Sequence, residues 1–359
     1  VYRYDKGITA MNFITIDDNL DKYFELIGIY CNGADYKKAL EELEKIEPYC
    51  KTPAQKARYH YSRGYINYAS ISQLSALAEY RKGLREDPDD TMGLKKECAY
   101  SKKLIKREYA EMRKVVLRIV DFISEHYNSI PENDKIKVDD HAFQLLLGFY
   151  QSIRMPHIDD NYLGFPRNDI FLGFDDYFAK LTGEKQENAK TFLKDGYDII
   201  DRESYFECIR NNQNLDMNGY ISEVMAYLND KSSVDVNQLD GDEKLYFLAK
   251  VEFVQTFFDY LPDAGVIAWD LSAQIALTRI AFACDIINKE DYCHNMSALT
   301  DVLKGRLSSF EEYARSFIFG SAILMFKVKS MNITKSTDFM FSIMGYLDMG
   351  NLLDTKWIQ

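Results

Sequence analysis

Trp269 and Asp270 stand side by side in the largely apolar run GVIAWDLSAQIALTRIAFACDIINKEDY at 265 to 292, which also carries Arg279; Glu311 follows in SSFEEYARSFIFGSAIL at 308 to 324. A carboxylate beside an indole, with a guanidinium and a second carboxylate in reach, could bind an anion and move a proton. Asp270, Arg279 and Glu311 are therefore the candidate catalytic residues, and Trp269, Asp270 and Arg279 the candidate binding set. A structural reading competes with this one. Asp270 could cap a helix beginning near Leu271, with Trp269 packed beneath it and Arg279 paired to a buried or interfacial carboxylate.

Other reactive residues are more sparsely placed. Glu290 and His294 have the i, i+4 spacing that a helix turns to one side, but two ligands do not make a metal site and a solvated helix face explains them as well. The other histidines have no Ser, Cys or acid partner at motif spacing, and there is no G-x-S-x-G elbow and no glycine-rich phosphate loop. The six cysteines, at 31, 50, 98, 208, 284 and 293, form neither a CxxC pair nor a finger-like spacing, so a reducing compartment is expected, with no disulfide framework, no metal and no cofactor. Hydrolase, kinase and nucleotide-binding readings have no positive support, and the sequence leans away from an enzyme.

A near-repeat links two parts of the chain. DIIDRESY at 198 to 205 and DIINKEDY at 285 to 292 each place two isoleucines before a capping residue, Asp201 or Asn288, then a cation and a first-turn glutamate, Glu203 or Glu290. Side-chain caps and negative charge at a helix start are favourable, and the isoleucines would staple each turn to the core. The expectation is one helix-turn-helix corner used twice. A shared acid-base or metal role for the two glutamates is the competing reading.

The elements that position these residues are helices. Apolar residues recur at spacings of three and four almost throughout, and there are only seven prolines, so the fold class is all-α. The chain of 359 residues suits two or three domains. The segment ARYHYSRGYINYASISQLSALAEYRKGLREDPDD at 57 to 90 places Gly64, Ala76, Tyr80 and Pro88 at the offsets of a tetratricopeptide repeat. Small residues would let the two helices approach, Tyr80 would fill a gap, and Pro88 would stop the second helix. A looser copy upstream contains Gly28, Tyr36 and Ala39. These TPR-like hairpins, 1–93, would offer a surface through Tyr36, Arg63, Asn67 and Tyr80 to a protein or peptide partner.

A long helix follows at 94–130. Ile105, Tyr109, Met112, Val116, Ile119 and Ile123 step by four and three along it, the seam of a helix packed along its length. From 94 to 118 it holds nine Lys and Arg against three Glu, in a chain whose net charge is −12. A solvated face explains this; nucleic-acid contact through 94–118 is the minor alternative, since the acidic whole argues against general phosphate binding. A linker with an aromatic and glycine loop, carrying LGF at 163 and 172, spans 131–175. SFIFGSAILMF at 316 to 326 is too short to span a bilayer and is expected as a buried helix, so no membrane contact and a cytoplasmic location are expected.

From about 176 to 326 the chain resembles the DUF1266 domain, a bacterial family of unknown function. The likeness rests on LKDGYDIIDRESYFECI at 193 to 209 and on the two segments quoted at the outset, with Trp269, Asp270, Arg279, Glu290, Glu311 and Gly320 at family positions. Ala273, Phe310, and Cys284 with Asp285 depart from the pattern. The resemblance implies a helical domain at 176–326, followed by a helical tail at 327–359, and it implies no activity. The function read from the sequence is a protein-interaction or adaptor role for the hairpins, with an enzyme or small-ligand site around Asp270 and Arg279 as the alternative.

Overall fold

The computed structural model describes residues 19–70, 72–148, 172, 176–211, 216–327, 343 and 352–358. Among them are thirteen α-helices and no strand, so the fold is all-α; an isolated bridge joins Ile136 to Thr355. The chain divides into two compact units, one reaching Glu108 and the other beginning at Tyr109.

The first unit is built from antiparallel hairpins. Helices α1 (Leu20–Asn32) and α2 (Tyr36–Ile46) pair through Phe24, Ile27, Cys31, Ala39, Leu43 and Ile46, all buried. Helices α3 (Pro53–Ser70) and α4 (Gln73–Glu86) form the second pair. Gly64 is small for a reason that can be measured: a Cβ there would lie 2.3 Å from the Tyr80 ring. Ala76 is fully buried in the same contact layer, and α4 ends at Glu86, two residues before Pro88. The Ser72 hydroxyl caps α4 by accepting from the Ser75 N–H at 3.1 Å. Helix α5 (Leu94–Ser129) starts in this unit and continues into the second. All six residues of its expected seam are buried, from Ile105 to Ile123.

The second unit surrounds one helix. Of the seventeen residues of α11 (Ile267–Ala283), fifteen are buried, which is what an all-round apolar sequence requires. Around it pack α6 (Asp140–Leu147), α7 (Gly183–Tyr197), α9 (Met217–Asn229), α12 (Lys289–Arg306) and α13 (Phe310–Lys327). Helices α8 (Arg202–Asn211) and α10 (Gly241–Gln255) complete the unit. The closest approach is between α11 and α13, where a Cβ on Gly320 would fall 2.3 Å from the Cβ of Trp269. The apolar run 316–326 is the buried core of α13, and no helix among the described residues is long and apolar enough to cross a membrane.

The near-repeat is a corner used twice. Asp198, after α7, and Asp285, after α11, both have left-handed backbones, with φ of +57° and +62°, and so end their helices in the conformation that reverses the chain. The carboxylate of Asp201 and the amide oxygen of Asn288 then accept the N–H groups of Ser204 and Asp291, both at 2.9 Å, capping α8 and α12. The expected staple is half realised: Ile199 is buried and Ile200 is 66% exposed, whereas in the second copy Ile287 is the buried one.

Candidate functional site

Helix α11 begins at Ile267, not near Leu271, and Asp270 does not cap it. Its carboxylate accepts the N–H of Met217 at 2.7 Å and that of Asn218 at 3.1 Å, so it sits at the amino end of α9. The amide oxygen of Asn218 returns the contact by accepting the Val266 N–H at 2.9 Å, just ahead of α11. Two helix starts thus satisfy each other's free donors. Gly265 makes room for this: its φ is +66°, and a Cβ would lie 2.5 Å from that same Asn218 oxygen. The Ser316 hydroxyl of α13 takes a third donor, the Ala268 N–H, at 3.0 Å.

Asp270 is 6% exposed. Burial pushes its carboxyl up to about 7, against the pull of the two backbone N–H groups and Lys327; the charge of Asp216 adds to the rise. Burial also holds the ammonium groups of Lys327 and Lys250 below their usual range. Lys250 donates to the Tyr220 carbonyl at 3.0 Å and lies over the Tyr220 ring.

Arg279 lies elsewhere. Nine residues along an α-helix is about 2.5 turns and ~13 Å, which brings it to the opposite side of α11 from Asp270. It is 2% exposed, beside Tyr292 and near Tyr177, and burial lowers its pKa to about 10 against the favourable field of the Tyr292 oxygen. Its Nη2 also lies 3.4 Å from the Asp176 carbonyl. This pole is aromatic: Tyr177 stacks on His141 at 4.1 Å, Tyr292 on Phe282 at 4.4 Å, and Tyr177 lies 4.9 Å from Tyr292. The Tyr292 hydroxyl donates to the Tyr177 carbonyl at 2.8 Å, and Tyr177 donates to the Gln144 amide oxygen.

Glu311 belongs to neither pole; its carboxylate accepts from the Ser124 hydroxyl of α5 at 2.6 Å. Trp269 is 2% exposed, against Phe317 with ring centroids 4.9 Å apart. The set expected to form one pocket is therefore spread over three places, because a helix buried on every side sends its few polar residues in different directions. An open cleft of about 320 Å³ lies apart from all of them, lined by Pro262, Asp263, Lys304, Arg306, Ser308 and Glu312 among others. Among the described residues no group of three or more His, Cys, Asp and Glu could hold a metal ion.

The corners carry contacts that sequence spacing did not reveal. Tyr205 and Tyr292 occupy the same position in the two copies and are both fully buried. The first shares a hydrogen bond with Thr278 at 2.8 Å and the second bonds Arg279, so the copies grip adjacent residues of α11. Arg202 of the first copy donates twice to Asp291 of the second, at 2.7 and 2.9 Å. The shared Tyr in the two octapeptides was the available signal. Glu203 and Glu290 are exposed at their helix starts.

In the first unit the expected partner surface divides. Tyr80 and Asn67 are buried, the first against Gly64 and the second with its amide 3.5 Å from the Ser75 carbonyl. Tyr36 is half-buried against the α1–α2 core, and Arg63 donates to the Tyr59 hydroxyl at 2.7 Å. The exposed aromatic face lies beside them: Tyr65, Tyr68 and Tyr100 are 41%, 36% and 47% exposed. Tyr65 and Tyr68 stack with centroids 6.4 Å apart, and Tyr68 lies 6.2 Å from Tyr100 at the start of α5. The LGF repeats lie largely outside the described residues.

Comparison with curated proteins and with solved structures found no match. Comparison with family models found one: residues 192–352, a little under half of the chain and including the whole of α11, both corners and the Asp270 latch, match the protein family of unknown function DUF1266.

Proposed function

We propose that this chain is a protein-interaction module, in which the helical hairpins of the first unit dock a protein or peptide partner. The observation that carries the reading is the row of exposed tyrosines on α3 and α5. Tyr65 and Tyr68 are at helical spacing, and their rings continue into Tyr100. Tyrosine supplies a large, stiff, amphipathic contact area and is enriched where proteins bind one another. An exposed cluster of this kind on a small helical unit has a cost in solubility, and a partner gives it a use. In this reading the region matching DUF1266 is a structural domain whose buried charges hold helices together.

The alternative of a catalytic or small-ligand site uniting Asp270 with Arg279 lacks support, since the two lie at opposite poles of α11. Both Asp270 oxygens accept backbone N–H groups and the residue is 6% exposed, which is the setting of a structural carboxylate.

The test places a photo-crosslinking amino acid at position 68 of the full chain, and at the exposed Val302 on α12 as control, in the native cells. The reading expects a discrete crosslinked protein from position 68 and none from position 302. Equal crosslinking from both positions, or none from 68, overturns it.

A further inference from the structure

We infer that the partner segment docking on the tyrosine face is acidic, and this inference rests on the interaction reading above. Lys96, Tyr100, Lys103 and Arg107 follow one another at spacings of four, three and four, so they form a single stripe along α5. All four are exposed. None of the three cations makes an ion pair among the described residues. The chain as a whole carries 44 Lys and Arg against 56 Asp and Glu. The imbalance is local: from 51 to 108 there are thirteen Lys and Arg against seven Asp and Glu. Tyr68 joins the stripe to α3 through its contact with Tyr100. The surface therefore pairs apolar ring area with a local excess of positive charge over the same three turns.

Two polyanions share this chemistry, an acidic peptide and a single-stranded nucleic acid, and the ring geometry separates them. Base stacking needs open aromatic faces. Here Tyr68 already has two ring neighbours, Tyr65 at an interplanar angle of 29° and Tyr100 at 42°, and a hydrogen bond couples it to Tyr100. A cluster whose rings already pair with one another suits Leu or Phe side chains flanked by carboxylates. The acidic charge of the whole chain also repels a long phosphate strand beyond the stripe. A helical segment with acidic and apolar residues at spacings of three and four matches the stripe in period.

The probe is a fluorescein-labelled peptide of repeated Glu-Glu-Leu-Phe units, titrated with the full chain and followed by anisotropy. Lys96→Glu, Lys103→Glu and Arg107→Glu are combined in one charge-reversed chain; a second carries Tyr68→Ala and Tyr100→Ala, with circular dichroism verifying the helix content of both. Because the three cations are exposed and unpaired, charge reversal leaves the fold intact, and it is expected to weaken the peptide about tenfold, the combined effect of three surface ion pairs. A Gln-for-Glu peptide is expected to lose binding to the same degree.

An affinity unchanged by charge reversal overturns the inference. Tighter binding of an oligothymidylate than of the peptide overturns it in favour of nucleic acid, and self-association of the free chain that charge reversal dissolves overturns it in favour of a second copy. The crosslink at position 68 distinguishes failure of the acidic partner from failure of the interaction itself: if it survives charge reversal, the interaction stands and the acidic partner falls.

Discussion

Replacing Asp270 with Asn changes how the second unit responds to pH, because burial holds the Asp270 carboxyl far above its ordinary value. A carboxyl held near 7 in the fold and near 3.9 in the unfolded chain binds more protons folded than unfolded between those values. Stability is therefore greatest below the unfolded value and falls as pH rises through the folded one. For this pair of values the loss between about pH 5 and about pH 8 is ~2–3 kcal/mol. Asp270→Asn removes that slope. It also leaves one of the Met217 and Asn218 N–H groups facing an amide NH2, which costs about 1–3 kcal/mol at low pH, so the variant is less stable than the parent near pH 5 and close to it near pH 8. Both tryptophans, Trp269 and Trp357, belong to the second unit, so urea unfolding followed by tryptophan fluorescence reads that unit. Parallel pH profiles for parent and variant would refute the argument, because they would mean that Asp270 keeps an ordinary pKa despite its burial.

Further predictions concern packing. Gly320→Ala places a methyl 2.3 Å from the rigid Cβ of Trp269, which α11 and α13 can accept only by moving apart; a loss of about 3 kcal/mol or more is expected in the same tryptophan-monitored unfolding. Asp198→Gly relieves a left-handed non-glycine residue at an exposed corner and is expected to be neutral to stabilising, by up to ~1 kcal/mol. Tyr292→Phe removes the hydroxyl that serves the Tyr177 carbonyl and Arg279 and is expected to cost about 1–3 kcal/mol. Tyr205→Phe, which leaves a Thr278 hydroxyl already bonded to the Gln274 carbonyl, should cost less than Tyr292→Phe by equilibrium unfolding.

Periodic features of the sequence were legible because they are local. The four-and-three seam of α5 and the two corner caps follow from spacing and cap chemistry, and each is present. Gly64 was readable as a close approach because small residues recur at the repeat offsets, whereas Gly320 stood out only as a family position and its contact with Trp269 came from the structure. Partners distant in the chain were not legible. Asp270 looks like a cap for its own helix, and nothing near it in sequence says that it serves α9 instead, across 53 residues. Arg279 looks like a companion of Asp270 until the helical angle between them is counted. The partner surface taken from repeat offsets included Asn67 and Tyr80, which the hairpin takes inside. The exposed face is the neighbouring stripe, which helical spacing alone could have indicated but could not distinguish from a buried one.

In the proposed function a partner binds the tyrosine face of the first unit, and the poles of α11 hold helices together. Quantitative co-purification from native cells tests it most directly, comparing the full chain, the Tyr68→Ala and Tyr100→Ala double variant, and Asp270→Asn. The expected result is a partner that the tyrosine variant loses and the Asp270→Asn chain retains. A partner kept by the tyrosine variant and lost from a folded Asp270→Asn chain would contradict it.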